Sequence, residues 1–172
     1  EVDPNAAQPH FFLASTYDRH DMFDEAIEEY GQTLAIDPHH LKALFNLGRL
    51  FIQQGEPRKA FDPFARIVEL NGDNTAAWNY LGYIYEALGS IEYAIFAYSN
   101  SLIINNYQED AHYNLARLQY LQYRVSPDPA MLEGIRSRLL YVTSVNPKHR
   151  EAKQLLGMIQ LHRTREQKEN GE

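Results

Sequence analysis

The sequence of 172 residues contains no cysteine, so disulfide bonds, thiolate catalysis and cysteine-ligated metal sites are excluded. It also lacks an apolar run close to the roughly 20 residues that a membrane-spanning helix needs. Basic residues are in the minority, with 16 Lys and Arg against 23 Asp and Glu, and they form no cluster. The net charge of −7 therefore disfavours nucleic acid as a partner.

Motifs that carry chemistry are missing as well. There is no His-Glu-x-x-His, no Gly-rich phosphate loop and no Gly-x-Ser-x-Gly. The adjacent His39 and His40 have no third metal ligand placed near them, which favours a solvated turn. We therefore expect no enzymatic activity, no metal and no cofactor.

What the sequence does contain is a repeat of 34 residues. Apolar, small and turn-forming positions all recur at this step. The columns in register are Leu13, Leu47, Leu81 and Leu115; Tyr17, Phe51 and Tyr85; Ala26, Ala60 and Ala94; Tyr30, Phe64 and Tyr98; and Gly55 and Gly89. A fixed period of this length is typical of stacked helical units.

Each unit has the pattern of two helices. Trp78, Leu81 and Tyr85 recur at the spacing of one face of an amphipathic helix. Gly89 then stands where that helix must end, because glycine readily adopts the left-handed conformation after a helix. A second helix follows through residues 91–102, and the small residues of both helices permit close packing.

This pattern resembles the tetratricopeptide repeat family, whose repeat has an aromatic, Leu-Gly, an aromatic, Ala, an aromatic and a late Pro. The third unit matches at Trp78, Leu81, Gly82, Tyr85, Ala94 and Tyr98; the second at Leu47, Gly48, Phe51, Ala60 and Phe64; the first at Leu13, Ala14, Tyr17, Ala26, Tyr30 and Pro38. The resemblance implies an all-α fold, a right-handed α-solenoid of helix-turn-helix units in a single domain over residues 1–167. The expected repeats are about 7–40, 41–74, 75–108 and an irregular 109–149, with a capping helix at about 150–163 and a polar tail at 164–172.

The fourth unit departs from the pattern. Gln119 and Tyr123 replace the expected aromatic and turn glycine, and the next Leu-Gly pair arrives seven residues late. We expect the additional residues near 125–129, where two prolines interrupt the helix. Asp128 or Ser126 then caps a helix from about Ala130 to Val145.

In the tetratricopeptide family the first helix of each unit lines a concave groove, and the resemblance implies the same here. Those positions hold many aromatics, which supply contact area, with Asn for peptide backbone and Arg for a carboxylate. The predicted groove residues are Phe11, Phe12, Phe45, Asn46, Arg49, Asn79, Tyr80, Tyr83, Tyr113, Asn114, Arg117 and Tyr120.

One family specificity is disfavoured. Members that grip the carboxylate of chaperone tails use Lys, Asn and Arg at five groove positions. Those positions here hold Phe11, Ser15, Asn46, Ala76 and Tyr80, and only Asn46 agrees.

These patterns predict a non-catalytic module that binds a peptide or protein segment in its groove. Two alternatives stay open: the aromatics pack only within the fold, or the chain is a self-associating scaffold, a homo-oligomer within a larger, possibly envelope, assembly. The sequence starts at Glu1 rather than Met, which slightly favours an exported or membrane-anchored bacterial protein.

Overall fold

The computed structural model of the chain describes residues 6–169, and side chains as far as residue 161. Within these limits every regular element is an α-helix, as the 34-residue period predicts. The helices are α1 (Ala7–Arg19), α2 (Phe23–Ile36), α3 (Leu41–Gln53), α4 (Pro57–Leu70), α5 (Thr75–Ala87), α6 (Ile91–Ile104), α7 (Glu109–Val125), α8 (Pro129–Val145) and α9 (Arg150–Glu169). No helix among the described residues combines the length and the apolar character that crossing a membrane requires.

The chain divides after Ser90 into two compact units, the first with α1–α5 and the second with α6–α9. In the first unit α1 pairs with α2 and α3 pairs with α4, and in the second unit α7 pairs with α8. These pairs are the helical hairpins that the repeat predicts. The organisation of residues 1–167 as one domain stays a prediction, and each unit is described separately below.

The core of the first unit is formed by the repeat columns. Ala14, Ala26 and Tyr30 are fully buried and pack in one cluster with Ala43 and Leu50 of α3. The recurring spacing of small residues makes room for aromatic rings. A Cβ at Gly48 would lie 2.7 Å from Cε2 of Phe64, so only glycine fits there without displacing that ring.

The irregular fourth repeat is lengthened in its helices rather than in its loop. Helix α7 has 17 residues where α5 has 13, and α8 has 17 where α6 has 14. The additional residues therefore flank the predicted position near 125–129, as helical turns at the end of α7 and the start of α8 rather than as a longer loop. Only Ser126, Pro127 and Asp128 separate the two long helices, because each helix continues for about one more turn.

Three helix ends follow the sequence signals at Gly55, Gly89 and Asp128. Gly55 and Gly89 adopt φ of 75° and 77°, the left-handed conformation expected of a glycine that follows a helix. Asp128 caps α8 by accepting a hydrogen bond from the Ala130 N–H at 2.9 Å. The capping helix α9 extends to Glu169, however, and so includes residues 164–169, which were assigned to a polar tail.

Candidate interaction surface on the first unit

The predicted groove residues of the first unit lie on α1, α3 and α5. Their equivalent positions in three successive repeats place them on a common surface, which we call the inner-helix face. Two contacts confirm that neighbouring helices meet there, a ring contact from α3 to α5 and an ion pair from α1 to α3. The face is formed by Phe11, Phe12, Ser15, Phe45, Asn46, Arg49, Asn79, Tyr80 and Tyr83.

Two of the predicted aromatics belong to a packed cluster. The Phe45 ring meets the Tyr80 ring edge-on at 5.5 Å between centroids. Tyr80 in turn stacks on Phe64 at 4.4 Å, with the planes only 7° apart. Phe45 and Tyr80 are both half-buried, so much of their surface stabilises the contact between repeats.

Phe11 has a similar role in the first repeat. Its ring packs 4.6 Å from the His40 ring and 6.0 Å from the Tyr30 ring. His40 itself caps α3, since its Nδ1 accepts a hydrogen bond from the Ala43 N–H at 3.1 Å. These contacts leave Phe11 half-buried and give His40 a structural role at the start of α3.

Phe12 and Tyr83 are the aromatics of the face that solvent reaches most. Phe12 is 63% exposed and Tyr83 is 49% exposed. They lie on α1 and α5, on either side of α3 in the repeat order. Exposed rings carry contact area that the fold itself does not use, and aromatic side chains dominate binding hot spots.

Two polar residues of the face, Ser15 and Asn46, are hydrogen-bonded within the unit. The Asn46 Nδ2 donates to the Tyr30 hydroxyl at 2.8 Å, and the Ser15 hydroxyl lies 3.3 Å from the same oxygen. Burial raises the pKa of Tyr30 above its ordinary value, and the hydrogen bonds that its hydroxyl forms with Ser15 and Asn46 only partly offset that effect. Asn46 was expected to bind a peptide backbone, and its amide already has one partner in the fold.

Arg49 is also engaged. Its guanidinium forms an ion pair with Asp18 of α1 and donates a second hydrogen bond to Gln53 at 3.1 Å. Asp18 was absent from the predicted set. The signal that could have identified Asp18 is its position in the repeat, because the third repeat has a second acidic residue, Glu86, at the same position.

The groove residues predicted for the fourth repeat lie on α7 of the second unit. The Tyr113 ring packs 4.4 Å from the His149 ring, and Tyr120 stacks on Tyr123 at 6.2 Å. Asn114 and Arg117 are half-buried on the same helix. Tyr113 and Tyr120 also pack against the core of this unit, so both stabilise the fold.

Comparison with known proteins supports the repeat assignment. Residues 19–81 match the family model for the tetratricopeptide repeat. A stretch of 79 residues is 32% identical to the general transcriptional corepressor trfA of Dictyostelium discoideum, and it covers 46% of this chain. The match spans only 6% of the length of that protein.

Solved structures share the fold over more of the chain. MamA superposes with a TM-score of 0.77 at 22% identity, over 89% of this chain and 80% of MamA. YrrB, a tetratricopeptide protein with an unusual peptide-binding site, gives 0.77 at 18% identity over 92% and 78%. The first repeat domain of Spaghetti (RPAP3), bound to an HSP90 peptide, gives 0.65 at 22% over 70% and 96%. The chain is thus an all-helical protein with the tetratricopeptide repeat fold, as the sequence pattern predicts.

Proposed function

We propose that this protein is a non-catalytic interaction module that binds a peptide or protein segment along the inner-helix face of its first unit. The observation that carries the proposal is the pair of exposed rings, Phe12 and Tyr83, above side chains that are already fixed by contacts within the fold. Side chains that are already fixed in the fold lose little conformational entropy when a ligand binds, and the exposed rings supply the contact area.

Structural neighbours support the class of partner. Two proteins of the same fold, YrrB and the RPAP3 domain, are described with a peptide-binding site or a bound peptide. The likeness at 18–22% identity concerns the fold, so it supports a peptide or protein partner in general and no particular sequence.

The side chains of the inner-helix face limit the chemical types of peptide segment that would fit it. Arg49 is neutralised by Asp18, and the clamp positions for an acidic tail are occupied by Phe11, Ser15, Ala76 and Tyr80. A segment with apolar or aromatic side chains is therefore favoured over one that ends in an acidic tail. Asn79 and Tyr80 remain candidates for polar contacts to its backbone.

In unit two, Tyr113, Asn114, Arg117 and Tyr120 remain a separate predicted surface. Arg117 is the member that we expect to meet an acidic group.

The test uses peptides selected from a random display library against the whole chain. The double variant Phe12→Ala with Tyr83→Ala should bind the selected peptides on the order of tenfold or more weakly, because each ring of a hot spot contributes about 1–2 kcal/mol. The matched control is Tyr107→Ala with Val125→Ala, which removes an 82% exposed Tyr and an 87% exposed Val outside the face. Equal affinity of the inner-face variant and the unchanged protein would contradict the proposal.

One observation favours a second function, self-association. Tyr93, Phe96 and Ile103 are exposed and recur at helical spacing on one side of α6. Molar mass by light scattering across a concentration series tests it. A mass that rises with concentration, and that returns to one chain in the Phe96→Ala with Tyr93→Ala variant, would establish α6 as an interface between copies.

A further inference from the structure

The second unit contains a cavity of about 540 Å³ between α6, α7 and α8. Apolar side chains form part of its wall, and two nitrogen-bearing side chains from different helices meet the same space. Small-molecule sites in proteins range from about 300 to 1,000 Å³ and combine apolar walls with a few polar groups. The residues used below are Leu102, Asn106, His112, Leu115, Arg138 and Tyr141.

Arg138 brings a charge into this cavity without a counter-ion. It is half-buried on α8, and it forms neither an ion pair nor a hydrogen bond with any residue that the structure describes. Burial lowers the pKa of its guanidinium from the ordinary value. Gly134 gives the guanidinium room, since a Cβ there would lie 3.2 Å from Nη1 of Arg138. A cation that is half-buried without a partner is unfavourable unless something else compensates it.

His112 presents a second unused group. It is only 8% exposed, and its Nε2 donates a hydrogen bond to the Asn106 carbonyl at 2.9 Å. Trp78 makes the equivalent bond one repeat earlier, from Nε1 to the Gly72 carbonyl at 2.8 Å. The indole has no other polar atom, whereas the imidazole keeps Nδ1, which is buried and has no hydrogen-bond partner.

The first repeat shows what such a histidine pairs with. His10 stands three periods before His112, and its Nδ1 lies 2.6 Å from Oε2 of Glu29. Glu29 precedes the last residue of α2 by seven positions, as Arg138 precedes the last residue of α8. The fourth repeat therefore has Arg138 at the position where the first repeat has the Glu29 carboxylate. His112 consequently has no carboxylate at the position that faces His10 in the first repeat.

We propose that this cavity binds a small organic acid, with its carboxylate between the Arg138 guanidinium and His112 Nδ1–H and its apolar body against Leu102 and Leu115. The ligand supplies the carboxylate that Glu29 provides in the first repeat. The site lies wholly within the second unit and goes beyond the peptide-binding function proposed for the inner-helix face. A free acid suits the site better than a chain end, because Nδ1 is buried and the volume matches a small molecule.

Binding of the carboxylate is coupled to the uptake of a proton by the His112 ring. Burial, and after it the charge of Arg138, lowers the pKa of His112, although the hydrogen bond to Asn106 opposes this, so the ring is neutral near pH 7 in the empty site. A bound anion raises the pKa of the ring, so a proton is taken up and affinity increases as the pH falls. The lining groups that are charged or titratable are His112 from α7 and Arg138 and Tyr141 from α8; the lining residues of α6 and the following turn contribute none.

Calorimetric titration of the whole chain with 4-methylpentanoate and its neutral amide tests the recognition of charge. The acid should bind, and the amide should bind at least about tenfold more weakly, because a charge-assisted hydrogen bond is lost. Arg138→Met should cause a similar loss. Arg136→Met is the matched control, since Arg136 lies on the same helix, pairs with Glu133 at 2.8 Å and is not part of the cavity wall.

Titrations at pH 6 and pH 8 test whether His112 takes up a proton when the acid binds. The unchanged protein should bind the acid more tightly at pH 6, whereas His112→Phe, which retains an aromatic ring in the position, should show no such difference. Circular dichroism verifies that each variant keeps its helicity. The proposal is overturned if acid and amide bind equally, if Arg138→Met and Arg136→Met behave alike, or if inorganic phosphate binds as tightly. An acetylated tetrapeptide ending in leucine that binds more tightly than the free acid would overturn the assignment to a small molecule.

Discussion

Particular polar side chains of the two units differ in whether they have a partner within the fold. On the inner-helix face of the first unit Arg49 pairs with Asp18 and Asn46 bonds to Tyr30, and elsewhere in that unit His10 pairs with Glu29. In the cavity of the second unit neither Arg138 nor Nδ1 of His112 has a partner among the described residues. Satisfied groups make a rigid surface whose binding rests on exposed rings, whereas unsatisfied groups indicate the charge and the atoms that a ligand must supply.

The largest effect is expected from a substitution that disrupts the packing of the first unit. Gly48→Ala should lower the free energy of unfolding by about 1–3 kcal/mol, because its Cβ would lie 2.7 Å from the Phe64 ring, which is fixed between Phe45 and Tyr80. Gly31→Ala is the matched control, since Gly31 lies within α2 and has no atom within 4 Å of its Cβ direction. That change should stabilise the protein by about 0.5–1 kcal/mol. Urea denaturation measures both, and effects of the same sign would contradict the packing described.

Two arginine substitutions should act in opposite directions. Arg49→Met should destabilise the protein by about 1–2 kcal/mol, since it leaves the mostly buried Asp18 without its cation. Arg138→Met should leave stability unchanged or raise it by up to about 1 kcal/mol, because it replaces a cation that has no partner with an apolar side chain. Thermal unfolding of the two variants side by side tests the contrast between the units. A destabilised Arg138→Met protein would mean that the guanidinium is satisfied within the fold.

A substitution at Tyr30 tests the hydrogen bonds beneath the inner-helix face. Tyr30→Phe should cost about 1 kcal/mol, because Asn46 loses its acceptor. Since the pKa of Tyr30 is raised in the folded state, the unfolded chain releases its proton first, near 10, and stability falls as the pH rises above that value. The variant should lose less stability than the unchanged protein between pH 9 and pH 11. Parallel denaturation curves at the two pH values, with identical losses, would argue against a buried hydroxyl.

The smallest effect concerns His112 in the empty cavity. Its pKa is lowered in the folded state, so the unfolded chain binds a proton more readily as the pH falls below 6.5, and stability decreases there. His112→Phe should reduce this acid sensitivity. Equal losses of stability between pH 7 and pH 5 in His112→Phe and in the unchanged protein would contradict the burial of this ring.

The sequence was sufficient for the fold because the period fixes packing columns. The columns of Ala14 and Tyr30 are buried in every repeat, and in the column of Leu81 only the first member, Leu13, is exposed, at 41%. Gly89 needs only its local left-handed conformation. Partners of charged side chains were not predictable in this way. The Asp18–Arg49 pair joins different columns on two helices, and it depends on side-chain directions that a period does not encode.

The cavity escaped prediction for a related reason. His112 occupies the column of Trp78 and therefore resembles a packing residue, while Arg138 lies beyond the lengthened α7, where the register of 34 no longer applies. Counting back from the end of each second helix would have aligned Arg138 with Glu29. The placement of the additional turns in α7 and α8 was likewise hidden, since the prolines indicated a break but not how far each helix extends.

The central claim is that the inner-helix face of the first unit binds a peptide segment. The most direct test is the map of backbone amide shifts when a display-selected peptide is titrated into the isotopically labelled chain. The account predicts that the largest shifts fall within residues 11–19 of α1, 45–53 of α3 and 79–86 of α5. Saturable binding whose shifts are confined to other helices would contradict it.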